Sequence, residues 1–310
     1  MNRLRWAALL GTLLTPCLGN AAMHVLVVAG IGGEPVYEER FAQWSEQVAQ
    51  AAATATGDAA RVQRLSGAEA TRVKIEAALG DAARELRAGD QFVLLLLGHG
   101  SFDGNEYRLN IAGPDLTGAQ IGALLDRIPA GVAQLVVNAT STSGAAAEIW
   151  AKPQRVVIAA TKTGRERNAT RFGGFWAQAL SSEEADTDKD GNITAQEAYD
   201  FAVRKVNESY KSDAAIVSEH ARISGNEPSR FVLARRGAAA LFSSDAQLVA
   251  MRGEQDGIER RIGEIKGQKG QLAEDAYYER LEPALLELAR LGARIDARLA
   301  ALGAAQGGTR

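Results

Sequence analysis

Phe92 to Leu97 is an unbroken apolar run, closed by Gly98-His99-Gly100. A strand that is apolar on both sides needs cover on both faces, and a parallel sheet flanked by helices supplies it. Met23 to Gly30, Ala133 to Ala139 and Arg155 to Thr161 read as strands of the same kind, and Arg61 to Leu65 as a further one. Between them, Glu38 to Ala53, Thr71 to Arg87 and Gly118 to Arg127 carry helical spacing. Tyr107 to Ile111 reads as a short extra strand. Strands alternating with helices predict βαβ units and a mainly parallel sheet. Ligands of such sheets gather beyond the carboxyl ends of the strands. The loops after Gly30, Leu97, Ala139 and Thr161 are therefore expected on one rim.

The N-terminus reads as a secretory signal over residues 1–22. Arg3 and Arg5 precede an apolar stretch, Trp6 to Leu14, that is too short to span a bilayer. Gly19-Asn20-Ala21 offers small residues for cleavage. An uncleaved anchor is the alternative. Pro16 in front of Cys17 fits a lipoprotein site poorly. The expectation is an exported protein, periplasmic or secreted, with no later membrane span. Cys17 is the only cysteine, so the mature chain has no disulfide, no thiolate metal site and no cysteine nucleophile. The net charge of −3 argues against nucleic acid as a partner. Hydrophobic residues make up 46% of the 310, enough for a sizeable core.

Residues 186–197 read DTDKDGNITAQE. Asp186, Asp188 and Asp190 occupy positions one, three and five of an EF-hand-type loop. Gly191 falls at the sharp turn, Asn192 at the carbonyl position, Thr194 at nine and Glu197 at twelve. A hard cation needs several converging oxygens, and short carboxylates on alternate residues of a curled loop supply them. The pattern predicts Ca²⁺ binding, with Phe172 to Ser181 as the entering helix and Ala195 to Tyr210 as the exiting one. An acidic surface turn is the alternative. A single exported loop of this kind binds at roughly 10⁻⁴ to 10⁻³ M, which suits a structural ion.

The composition changes after about Ser243. Ile258, Ile262, Ile265 and Leu272 form one stripe, and Leu281, Leu285, Leu288, Ile295, Leu299 and Leu302 a heptad-like one. Gly267 and Gly270 mark a turn, and Pro283 falls near the expected start of the second helix. Residues 241–310 are thus expected to form a helical hairpin or coiled coil. It would pack on its own domain, self-associate or bind a protein partner.

His99 follows the strongest strand and is placed for proton transfer. Gly100 can offer its N–H to an oxyanion. Ser141, in Asn138-Ala139-Thr140-Ser141-Thr142-Ser143-Gly144, follows the next long strand. A nucleophile and a base on neighbouring strand ends suit covalent catalysis. A glycine-rich turn and a hydroxyl-rich helix cap are the plainer alternatives. At these residues the chain resembles the caspase-like and legumain-like cysteine peptidases, which carry a His-Gly pair after one strand and Cys-x-Ser-Gly after the next. The resemblance covers roughly residues 23–235 and implies a caspase–haemoglobinase α/β sandwich within a domain of residues 23–240. It would make His99 the catalytic histidine and Gly100 the oxyanion donor.

The resemblance also has departures. The family's cysteine falls on Ser141. A thiol with pKa about 8.5 is partly ionised at neutral pH, and a hydroxyl is not. Gly32 stands where legumain-like enzymes have an asparagine, and Thr142 where they have a glutamate. Cysteine-peptidase activity is excluded. The expected function is an exported calcium-binding protein whose legumain-like domain is catalytically degenerate and serves in binding or as a scaffold. A peptidase or other hydrolase using a Ser141/His99 dyad is the alternative. His24 reads as structural, His220 as a candidate to reach the rim, and no zinc-protease spacing occurs.

Overall fold

The structure, a computed structural model, describes residues 22–270 and 272–307. The expected signal segment, apart from Ala22, lies outside the described residues. The chain runs β1 (Met23–Ala29), α1 (Pro35–Thr56), β2 (Val62–Ser66), α2 (Arg72–Glu85), β3 (Gln91–Leu97), β4 (Gly100–Phe102), β5 (Tyr107–Leu109), β6 (Leu116–Thr117) and α3 (Gly118–Leu125). It continues through β7 (Ala133–Asn138), α4 (Gly144–Trp150), β8 (Arg155–Ala159), α5 (Phe172–Ala179), β9 (Asn192–Thr194), α6 (Ala195–Ser212), β10 (Arg222–Ser224) and β11 (Val232–Arg235). Three helices close it: α7 (Gly237–Ser244), α8 (Ala246–Gly267) and α9 (Glu274–Gly307).

The main sheet has the order β10-β8-β7-β3-β1-β2. All pairs are parallel except the edge strand β10, which runs antiparallel to β8. Its core is split by side-chain parity, because successive residues of a strand point to opposite faces. Val93, Leu95 and Leu97 meet Phe41 of α1, Trp176 of α5 and Phe201 of α6. Phe92, Leu94 and Leu96 meet Ile75 of α2, Ile121 of α3 and Trp150 of α4. This is a three-layer α/β sandwich, as the two-sided apolar strands require. A void of about 10 Å³ remains among Val25, Val93 and Trp176, about one water and no ligand site.

The carboxyl ends are in step. Ala29 pairs with Leu97, Leu96 with Asn138, and Asn138 with Ala159. The backbone continues the ladder one residue further, with Gly30 N–H donating to Leu97 O, Ala139 N–H to Leu96 O and Ala160 N–H to Asn138 O. The four expected loops therefore share one rim. β2 lies on one side of β1 and β3 on the other, which puts a topological switch point at the end of β1 and β3.

Two expectations shift. Tyr107 to Ile111 contributes only β5, in a separate small sheet with β4 and β6. Pro283 lies inside α9, since that helix begins at Glu274. The missing N–H leaves the carbonyl of Glu279 without its helical donor, and packing against α8 holds the helix across the gap. The α8–α9 pair buries Leu248, Ile258, Ile262, Leu281, Leu291 and Ile295 in its own cluster. Among the described residues no helix is long and apolar enough to cross a membrane.

Candidate functional site

The rim brings His99, Gly100 and Ser141 together. The Ser141 hydroxyl accepts from Gly100 N–H at 3.1 Å and donates to Gly100 O at 3.0 Å. It is only 2% exposed. This reciprocal pair ties the end of β7 to the start of β4. The N–H expected to face an oxyanion is thus given to Ser141. The glycine also has a steric reason: a Cβ at Gly100 would sit 2.5 Å from Ser141 O and 2.7 Å from the Tyr107 ring. A glycine after His99 therefore needs no catalytic explanation.

His99 does not bond Ser141. Its Nε2 lies 3.2 Å from Gly32 O. A carbonyl only accepts, so Nε2 carries the proton and Nδ1 is the basic nitrogen. Tyr37 and Phe41 pack edge-on at 4.8 and 5.2 Å. Gly32 is fixed by crowding, since a Cβ there would lie 2.4 Å from Glu38 N. No larger side chain has room at this position.

Below the hydroxyl is a buried polar net. Tyr107 OH lies 2.8 Å from Thr140 Oγ1 and donates to Asn138 Oδ1 at 3.3 Å. Burial pushes the Tyr107 phenol up to about 12, so it is neutral and structural at physiological pH. Ser143 Oγ and Thr161 Oγ1, 3.1 Å apart, stitch the loops after β7 and β8. Thr142 has φ 58°, unusual for a β-branched residue, and its hydroxyl is buried without a partner.

His220 reaches the rim, with Nδ1 2.7 Å from Glu166 Oε1. Glu166 also accepts from Lys162 N–H at 2.7 Å, and its carbonyl accepts from Thr142 N–H. His24 lies at the opposite end of β1. Sequence spacing gave no signal for the Glu166–His220 and Glu219–Arg171 contacts, whose residues are 54 and 48 apart. Glu219 is 3% exposed and accepts from the N–H groups of Arg171 and Phe172 at the start of α5.

In the acidic loop, ligand oxygens of Asp186, Asp188 and Asp190 lie within 4.8 Å of one another. Among the described residues no Lys or Arg is ion-paired to them. Lys189 and Gly191 have φ of 60° and 82°, which curl the chain. Glu197 is turned inward. It accepts from Thr187 N–H and from Thr194 N–H, both at 2.9 Å, and forms the capping box that starts α6. Desolvation works against its charge, but these donors from Thr194 and Thr187 outweigh it and hold the carboxyl below the usual range. Asn192 and Thr194 lie on β9, which pairs antiparallel with β11. α6 follows the loop directly, whereas residues 180–185 separate it from α5.

The chain matches no family model, and no curated protein matches it. Among solved structures it is similar to caspase-1 from Spodoptera frugiperda, with a TM-score of 0.48 and 11% identity, covering 70% of this chain and 91% of that one. It is also similar to a structural-genomics protein from Geobacter sulfurreducens, with a TM-score of 0.45 and 15% identity, covering 69% and 97%.

One pH effect follows. Burial raises the Glu219 carboxyl above its ordinary 4.5, and its donors from Arg171, Phe172 and Tyr210 only partly offset this. Above that ordinary value the native state holds a proton that the unfolded state has lost. Stability contributed by this group is therefore full at lower pH and declines as pH rises through the folded pKa. Urea melts across this window should show a decline with rising pH that Glu219→Gln removes.

Proposed function

We propose that this is an exported, calcium-stiffened protein whose caspase-like and legumain-like domain is catalytically silent and serves in binding. The observation that carries the reading is the Ser141 hydroxyl, buried and bonded in both directions to Gly100. A nucleophile needs a base at its oxygen, and an oxyanion hole needs free donors. Here the hydroxyl proton goes to a carbonyl, and the Gly100 N–H goes to the hydroxyl. The family reading itself is supported by the order of motifs: His99-Gly100 after β3, and Ser141-Thr142-Ser143-Gly144 after β7, the neighbouring parallel strand.

A hydrolase using Ser141 and His99 is the second reading. One feature favours it: Gly32 O holds the Nε2 proton and so leaves Nδ1 as a proton acceptor. The two readings separate by labelling. Electrophilic serine probes should leave the purified protein unlabelled, and Ser141→Ala should destabilise it by about 1–3 kcal/mol by orphaning Gly100 N–H and C=O. Labelling that Ser141→Ala abolishes would establish the hydrolase instead.

Calcium would be held by Asp186, Asp188 and Asp190, with Asn192, Thr194 and Glu197 as the further loop ligands. It would supply a fixed positive charge that joins the loop to the β9–β11 pair. At ten times its Kd, a native-state ligand adds about 1.4 kcal/mol. For a domain of this size that is a rise of about 2–5 °C in Tm. The double variant Asp186→Ala, Glu197→Gln should lose this rise; a parent Tm that calcium does not move would refute the site.

A further inference from the structure

Beside the rim runs a groove of about 760 Å³ that neither His99, Gly100 nor Ser141 lines. Tyr37, Arg40 and Trp44 of α1 form one wall, and Thr170, Arg171 and Ile216 the other. The volume suits a few side chains rather than a single atom or a whole domain. Its apolar surface is left open to solvent. Ile216 is 91% exposed. Gly173 and Gly174 make room for the Trp44 ring, since a Cβ on Gly174 would lie 2.7 Å from it. Trp44 is thereby laid against α5 as a fixed aromatic wall.

Basic side chains without an ion-paired carboxylate gather around this groove, although the molecule as a whole carries −3. Arg171 is paired with Asp213 at 2.6 Å and lies over the Tyr210 ring. Arg40 lies over the Tyr37 ring. Lys162, Arg165 and Arg167 are exposed on the loop that leads into the groove wall. Among the described residues no carboxylate is ion-paired to Arg40, Lys162, Arg165 or Arg167. The one acid within that loop, Glu166, already bonds Lys162 N–H and His220.

We propose that this groove docks an extended acidic segment of a partner protein, its carboxylates on Arg40 and on the unpaired cations Lys162, Arg165 and Arg167, and an aromatic or aliphatic side chain against Trp44. Guanidinium groups match carboxylates in geometry, and desolvated aromatic walls anchor such segments. Nucleic acid fits less well. Its affinity grows with the number of phosphates neutralised, and only two arginines line the groove. The inference needs neither the calcium loop nor chemistry at Ser141.

The test uses the full chain and a labelled hexapeptide in which glutamates flank a tryptophan, beside its glutamine counterpart. The glutamate peptide should bind, and binding should weaken with salt. Affinity should fall about tenfold for the glutamine peptide and about tenfold for Arg40→Glu. Lys269→Glu, in the distant hairpin turn, should bind as the parent does. Circular dichroism keeps a misfolded variant from being counted. Equal binding of the two peptides, unchanged affinity in Arg40→Glu, or an oligonucleotide that binds more tightly than the peptide would each overturn the proposal. Absence of peptide binding overturns the groove alone. Cleavage of a bound peptide overturns the silent rim and leaves the groove's occupant as proposed.

Discussion

A single hydroxyl group closes the business end of this fold. Ser141 Oγ sits between the N–H and the C=O of Gly100 and joins the loops that leave β3 and β7. The neighbouring features gather around that contact. Gly100 can carry no side chain, Thr142 next to Ser141 has positive φ, and the Tyr107–Thr140–Asn138 net packs directly beneath. A thiolate at the same position could not donate to the Gly100 carbonyl. The hydroxyl at this position therefore acts as a structural clasp.

The acidic loop is built on a different logic. Its strand β9 is anchored by antiparallel pairing with β11. β11 leads straight into the tail: Arg236 N–H donates to Gly191 O at 2.7 Å, and α7 begins one residue later. The Arg235 guanidinium meanwhile donates to Ala55 O at the end of α1. Arg235 and Arg236, just ahead of α7, are therefore both tied to the sandwich.

Much of this was legible in the residues. Apolar runs without alternation implied two-sided cover and hence the parallel sheet, and in-step strand ends put His99 and Ser141 on one rim. The hairpin showed itself through its leucine spacing. What spacing could not reveal were the partners of each polar atom. Periodicity says that Ser141 is near His99, but only the backbone path of β4 shows that Gly100 reaches the hydroxyl first. The same holds for Glu166 with His220 and for Glu219 with the start of α5, contacts that loops bring about without any local pattern. Pro283 misled because the α9 helix starts well before it, carried through by packing rather than propensity.

The central claim is that the Ser141 hydroxyl and the His99 ring do not share a proton. Nitrogen-15 NMR of the imidazole tests it most directly. The account predicts a proton on Nε2, a bare Nδ1, and His99 shifts nearly the same in the parent and in Ser141→Ala. A bonded Nδ1 resonance in the parent that becomes bare in Ser141→Ala would contradict it.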